Sequence, residues 1–401
     1  MESRLLARAR LSGVAFLMAL SSGCGGGSAP LAPDVPSEPV APPAPISQLL
    51  KWNVFPTASA VLGQAGFDQA GRGQLADLQG NPAIAADGFL FAATGDAMKV
   101  FESYTAGGAS PRFTLPFLAA SDVSIRGEKL VLIDGESVLI YNKPPSASVP
   151  PDVRSTASLG CGPNAMNIAQ SGYLTPQGHL IVADYGNSRV LIWNPDRVPA
   201  SGILPEPTVV VGQRNKDLCI PNDEDGDELP DEAPSAFTLS SPRSVWSDGN
   251  KLVVVDGGNH RVLIWDTVPT ADHQPADHVI GQPDFASNAP NRGAVASEFT
   301  LSQPMAVDVN EAGQIAVADA GNNRVLVWDT IPLGTGTAPP RHVLGQSNFL
   351  RNLANDSDQI GSSDIPSAQT LSFPAGVRFY DRNLIVSDKE NNRILVFPAS
   401  N

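Results

Sequence analysis

The chain has 401 residues, 36 of them glycine and 36 proline, and a formal net charge of −15. Lys and Arg total 26 against 41 Asp and Glu, with no basic stripe, which argues against nucleic acid as a partner. An acidic surplus of this kind is more simply a solubility feature.

Arg4, Arg8 and Arg10 precede an apolar run, Val14 to Leu20, followed by Ser21-Ser22-Gly23-Cys24. The run is well short of the roughly 20 apolar residues a spanning helix needs, so residues 1–23 read as a secretory signal peptide. The small residues leading into Cys24 resemble a bacterial lipobox, with Ser21 where Leu is usual and the Leu one position earlier. That resemblance implies that Cys24 is lipidated as the first residue of the mature chain. Gly25 after it implies sorting to the outer membrane, with membrane contact through the lipid anchor only. Ordinary cleavage nearby is the alternative. Residues 24–47 are mostly Gly, Ser, Pro and Ala, cannot bury apolar surface, and read as a disordered tether. At ~3 Å per residue when extended, the tether would reach about 70 Å from the bilayer.

From residue 48 onward the chain repeats itself. Val61-Leu62-Gly63-Gln64 is a short strand ending in Gly-Gln. Two worn hairpins follow: Phe89 to Ala93 with Lys99-Val100-Phe101, then Leu130 to Gly135 with Val138 to Tyr141. Four well-kept copies of one phrase come next. They read Asp184-Tyr-Gly-Asn187-Ser-Arg189-Val-Leu-Ile-Trp193, Asp256-Gly-Gly-Asn259-His-Arg261-Val-Leu-Ile-Trp265, Asp319-Ala-Gly-Asn322-Asn-Arg324-Val-Leu-Val-Trp328 and Asp388-Lys-Glu-Asn391-Asn-Arg393-Ile-Leu-Val-Phe397. Self-similarity at tens of residues means one supersecondary unit stacked many times.

Each copy is a hairpin of two apolar strands around a polar turn, where Gly and Asn tolerate positive φ. Upstream stands a strand announced by Leu-x-x-Pro (Leu239–Pro242, Leu301–Pro304, Leu371–Pro374). Downstream stands one ending in Gly-Gln (Gly212-Gln213, Gly281-Gln282, Gly345-Gln346). Four antiparallel strands per repeat make a propeller blade. Six hairpins predict an all-β, six-bladed β-propeller over residues 48–401. The last copy lacks a Gly-Gln strand, so residues 61–64 are expected to pair with 393–397 and close the ring, leaving no free sheet edge.

The Asp-x-x-Asn-x-Arg-Val-Leu-x-Trp phrase resembles the NHL repeat, with Asn259-His260-Arg261-Val262-Leu263 the nearest match. The resemblance covers roughly residues 48–401, is strong in four blades and weak in two. It implies the fold; its members bind proteins, nucleic acid or small ligands, and a few are enzymes, so activity does not follow.

Cys161 and Cys219 lie in loops leading into first strands. An oxidising compartment would let them pair; two free thiols are the alternative. The run Asp223-Glu-Asp225-Gly-Asp227-Glu-Leu-Pro-Asp231 resembles extracellular calcium loops, with carboxylates at alternate positions around a Gly turn. It departs from an EF-hand, since Pro234 stands where the bidentate Glu belongs. A solvated acidic loop is the plainer alternative.

The equivalent Asp and Arg of every copy are expected to be structural, tying hairpins to neighbouring blades, and the series Trp193, Trp265, Trp328, Phe397 to pack between blades. A catalytic site needs unlike groups converging on one atom, and no metalloprotease, hydrolase or phosphate motif is present. The residues therefore favour an envelope-tethered binding or scaffold module, acting as a monomer on a protein or glycan. Its long loops (residues 214–238, 283–300 and 347–370) would gather on one face beside the channel mouth. The alternative is a calcium-dependent hydrolase or lactonase at the axis, for which Asp308, Asn167 and Arg378 are first-strand candidates.

Overall fold

The computed structural model describes residues 48–400 apart from 109, 118, 157 and 363. The expected signal peptide and tether, with Cys24, lie outside those residues. Strand β1 (Ala60–Leu62) opens the described chain. Blade I is β2–β5 (Leu78–Ile84, Leu90–Thr94, Ala97–Phe101, Phe113–Pro116) and blade II is β6–β9 (Ala120–Arg126, Lys129–Asp134, Ser137–Tyr141, Val153–Arg154). Blade III is β10, β11, β12 and β14 (Ala169–Leu174, Leu180–Asp184, Arg189–Trp193, Val209–Val211), with a short β13 (Gly202–Ile203) between the last two. Blades IV and V are β15–β18 (Pro242–Ser247, Leu252–Asp256, Arg261–Trp265, His278–Ile280) and β19–β22 (Pro304–Val309, Ile315–Asp319, Arg324–Trp328, His342–Leu344). Blade VI is β23–β25 (Pro374–Tyr380, Asn383–Asp388, Arg393–Pro398) completed by β1.

The molecule is thus a six-bladed, all-β propeller closed by its own ends. Ala60, Val61 and Leu62 pair antiparallel with Val396, Leu395 and Ile394. Gln64 reinforces the seam by donating its side-chain amide to the Asn392 carbonyl at 3.1 Å, and Trp52 Nε1 donates to the Phe397 carbonyl at 3.2 Å. Blade II departs from the four-strand plan. β13 leaves the third-to-fourth connection of blade III and pairs in parallel with β9, adding a fifth strand.

The second and third strands are buried on both faces, which explains their continuous apolar runs. The core lies in the seams between blades: one cluster joins Ile192, Val253, Trp265, Val307 and Trp328 across blades III, IV and V. Each kept Trp also anchors its indole N–H on a carbonyl of the third-to-fourth connection, as Trp265 does on Gln274 at 3.0 Å.

The kept turn is a one-turn 3-10 helix, and its positive φ falls at Ser188, His260, Asn323 and Asn392, after the Asn. The turn glycines are there for a different reason than φ. A Cβ on Gly186, Gly258 or Gly321 would come within 2.7 Å of the Asn167, Ser240 or Ser302 carbonyl that the glycine's own amide binds. The glycine of each Gly-Gln does hold φ near +90°, as at Gly281 and Gly345.

Candidate functional site

In each kept turn the Asp carboxylate is wholly buried and fully used. Asp256 Oδ1 accepts the Ser240 amide at 2.7 Å, and Oδ2 accepts Asn259 Nδ2 and Arg261 Nε, both at 2.8 Å. The same Arg donates through Nη2 to the Ser235 and Thr238 carbonyls at 2.9 and 3.0 Å, and through Nη1 to Phe285. Arg189, Arg324 and Arg393 repeat the pattern. The guanidinium therefore ties together the loops entering and leaving its own blade, rather than a neighbour's hairpin, because it points along the turn toward that face. Links between blades fall instead to the residue after the Asn. His260 Nδ1 accepts the Gln303 amide at 2.9 Å, and Asn323 Oδ1 accepts that of Phe373 at 2.8 Å.

Antiparallel order puts the second-to-third turns and the blade-to-blade crossover loops on one face, the crossover face. Four blades raise that face with intact turns. Blades I and II do not. Where Asp319 pairs with Arg324, blade I has Thr94 opposite Ala97 and blade II has Asp134 opposite Ser137. Over these low turns lies a cavity of about 730 Å³, bounded by Gly95, Gly135, Lys99, Asp77, Asp96 and Gln170 among others. Lys389 reaches its wall, donating Nζ to Gln79 Oε1 at 3.1 Å; burial lowers the pKa of this ammonium, against the opposing field of Asp77. Ile168, half exposed on the rim, holds φ at +52°, a strained conformation for a β-branched residue.

The axis is filled from within. A register shift between Gln79 and Ala83 bulges β2 inward. A Cβ on Gly376 would come within 1.9 Å of the Gly80 carbonyl, so blade VI must carry glycine there to receive the bulge. Asn81 then spans the centre. Its amide N donates to Asp122 Oδ1 at 2.9 Å, its Oδ1 accepts the Val377 amide at 2.9 Å, and its Nδ2 approaches Val307 O at 3.4 Å. Burial raises the Asp122 pKa to about 6, although Ser171 and the amides of Asn81 and Gly172 stabilise its charge. Asp308 and Arg378 do meet, at 3.3 Å, while Asp308 Oδ2 accepts the Phe379 amide at 2.7 Å. Asn167 is not in a first strand. It precedes β10 and gives its amide to Asp184. The axial carboxylates are therefore occupied in holding first strands together, Asp122 those of blades I, II and III and Asp308 those of blades V and VI.

Asp223, Asp225 and Asp227 converge, one carboxylate oxygen from each lying within 4.8 Å of the others. Asp231 closes the same loop through its amide to the Asn222 carbonyl at 3.0 Å and through Oδ2, which accepts the Glu224 amide at 2.9 Å. Cys161 and Cys219 are joined as a disulfide with Cα atoms 6.0 Å apart, linking the crossover loops into blades III and IV.

No protein-family model matches the chain, and no curated protein matches it. Among solved structures, the WD40 β-propeller domain of Doa1 is 9% identical over 89% of this chain and 97% of its own, with a TM-score of 0.45. A structural-genomics protein of unknown function from Bacteroides thetaiotaomicron is 12% identical over 88% of this chain and 75% of that chain, with a TM-score of 0.47. At these values neither similarity says what the crossover face holds. What identifies the chain is its own topology, an all-β propeller of six blades.

Proposed function

We propose that the protein is an NHL-repeat binding module, tethered to the cell envelope through Cys24, that holds a protein or glycan on its crossover face. A propeller is consistent with a protein-binding scaffold. One observation carries the choice of face. Of thirteen large apolar side chains left exposed among the described residues, eight stand on the crossover loops, among them Leu159 (69% exposed), Leu229 (64%), Val295 (76%), Leu350 (65%) and Ile360 (77%), against five toward the other face, Val54 among them. Single exposed apolar residues are ordinary, but a concentration on the loops of one face marks an interaction surface. Of these loops only the one into blade III reaches the 730 Å³ bowl, at Ile168, while the Arg network anchors the loops of the kept blades from beneath. A carboxylate loop at Asp223, Asp225, Asp227 and Asp231 suits calcium as a further stiffener of the crossover face. An axial hydrolase is the weaker reading, because Asp122 and Asp308 already spend their oxygens on neighbouring amides and Arg378.

Photo-crosslinking in living cells tests the face. A crosslinker at Leu229 or Ile360 is expected to give a discrete adduct, and one at Asp87 or Glu128, on the opposite face, none. Equal adducts from both faces, or none from either, would remove the proposal. Cys24→Ser should release the chain from the membrane fraction.

A further inference from the structure

Three crossover loops, leading into blades IV, V and VI, are anchored alike. The amides of Asn222, Asn291 and Asn355 donate to the carbonyls of Leu239, Leu301 and Leu371 at 3.1, 2.9 and 3.2 Å. Their side chains exchange paired amide hydrogen bonds with the turn residues Asn259, Asn322 and Asn391. This common anchor puts the loops in register, and the next residue is Asp223, Arg292 and Asp356 respectively. In blade V the chain supplies its own cation. Arg292 donates to the Gly281 and Gly336 carbonyls at 3.3 and 2.7 Å. In the other two loops the place is taken by a carboxylate with no solvent exposure.

The two buried carboxylates are not equally satisfied. Asp223 has both oxygens engaged, by the amides of Gly226 at 2.7 Å and Glu228 at 3.0 Å. Among the described residues, Asp356 Oδ1 accepts only a long bond from Gly361, 3.4 Å, and its Oδ2 has no hydrogen-bond partner. Arg351 Nη1 stands 3.7 Å from that oxygen, beyond hydrogen-bond range, on a side chain 37% exposed. A buried carboxylate oxygen with a distant ion pair and no hydrogen bond is costly and calls for a closer partner. The Asp356 carboxylate faces Asp358 and Asp364, with one oxygen of each residue within 4.8 Å of the others. Three carboxylates so close repel one another unless a cation lies among them.

The geometry points to a divalent-cation site in the crossover loop of blade VI, held by Asp356, Asp358 and Asp364. Its ligand class is a hard cation, and calcium fits best, because it accepts irregular sets of six to eight oxygens, here completed by carbonyls or water. The site stands on Asp356 itself and does not depend on whether the Asp223 loop binds calcium.

Calorimetric titration of the EGTA-treated full chain with CaCl2 tests it, in an Asp225→Asn background that weakens the other loop. Binding with a Kd on the order of 10⁻⁴–10⁻³ M is expected, as for extracellular modules. Adding Asp358→Asn, at an exposed position, should weaken it about tenfold or more, and calcium should protect residues 347–370 from proteolysis only when Asp358 is present. Arg351→Gln should tighten binding by removing a competing positive charge. If Arg351 were instead the intended partner of Asp356, that variant would leave calcium binding absent and lower stability. No calcium heat in the Asp225→Asn chain, or heat and protection unchanged by Asp358→Asn, would overturn the site. Crosslinking from Leu229 reports separately on the binding face.

Discussion

Blades III to VI and blades I and II share a core of four antiparallel strands, to which blade II adds a fifth, yet they present unlike surfaces on the crossover face. In the first group every second-to-third turn carries a buried Asp–Asn–Arg network that clamps the crossover loops above it, as at Asp319, Asn322 and Arg324. In the second group the places of Asp319 and Arg324 hold Thr94 and Ala97 in blade I, and Asp134 and Ser137 in blade II. The face is low there, and the bowl opens. The repeat makes the ring; its loss in two blades makes the ring asymmetric, and asymmetry is what a recognition site needs.

The largest expected effect comes from breaking the closure that holds the two groups in one ring. Trp52 is 6% exposed, and replacing such a residue by Ala alone costs about 3–5 kcal/mol. Deleting residues 48–66 removes Trp52, β1 and Gln64 together and bares the β25 edge. The thermal transition should fall sharply or vanish. An unchanged transition would show that the seam at Ala60–Val396 contributes nothing.

Next comes the network itself. A buried ion pair is weak evidence of net stability, but removing one partner strands the other. Arg324→Ala leaves Asp319 wholly buried and should cost about 3–5 kcal/mol in urea denaturation. Ser137→Ala, at the same register position in blade II, should stay within about 0.5 kcal/mol. Equal losses would mean that the worn blade has a clamp of its own.

The kept half was legible in the sequence because its signals are local and periodic. Asp, Asn and Arg recur at fixed spacing, and Gly-Gln names the fourth strand because a Cβ on Gly281 would strike Leu301 at 2.6 Å. Closure was legible because Gln64 repeats the environment of Gln282. The worn half was legible as hairpins, at Phe89 to Ala93 with Lys99 to Phe101 and at Leu130 to Gly135 with Val138 to Tyr141, but not as a site. A bowl made by missing side chains leaves no motif, and the inward bulge at Gly80-Asn81 obeys no period. The loop at Asp356 escaped notice because Ser, Gln and Ile dilute its carboxylates. Only the shared anchor of Asn222 and Asn355 reveals its register.

The disulfide ties the first kept blade to the second across 58 residues. Replacing Cys161 and Cys219 together by Ser should cost about 2–4 kcal/mol, mainly by freeing the unfolded chain. Non-reduced peptide mapping of the purified protein should find the bond. Two free thiols there, or no change in stability, would leave the crossover loops of blades III and IV joined by hydrogen bonds alone.

The smallest effect separates the two groups at the axis. At one register position blades III and IV carry Ser171 and Ser244, and blade II carries Asp122. The worn blade has lost its turn network but keeps a buried carboxylate among the first strands, its pKa raised to about 6. A folded pKa above the unfolded value means that the folded state holds this proton more tightly. Its contribution is full below pH 4 and is lost as pH rises through 6. Wild type should therefore lose about 2 kcal/mol of stability from this group between pH 4 and pH 6. Asp122→Asn should abolish that part of the slope while lowering stability at pH 4, because its amide group faces the Gly172 N–H that Asp122 Oδ2 now accepts. Denaturation curves of both proteins at matched ionic strength measure the difference. A parallel pH dependence in the two would mean that Asp122 is ionised throughout, its charge carried by the Asn81, Ser171 and Gly172 donors, and the axis would then hold a fixed negative charge rather than a proton.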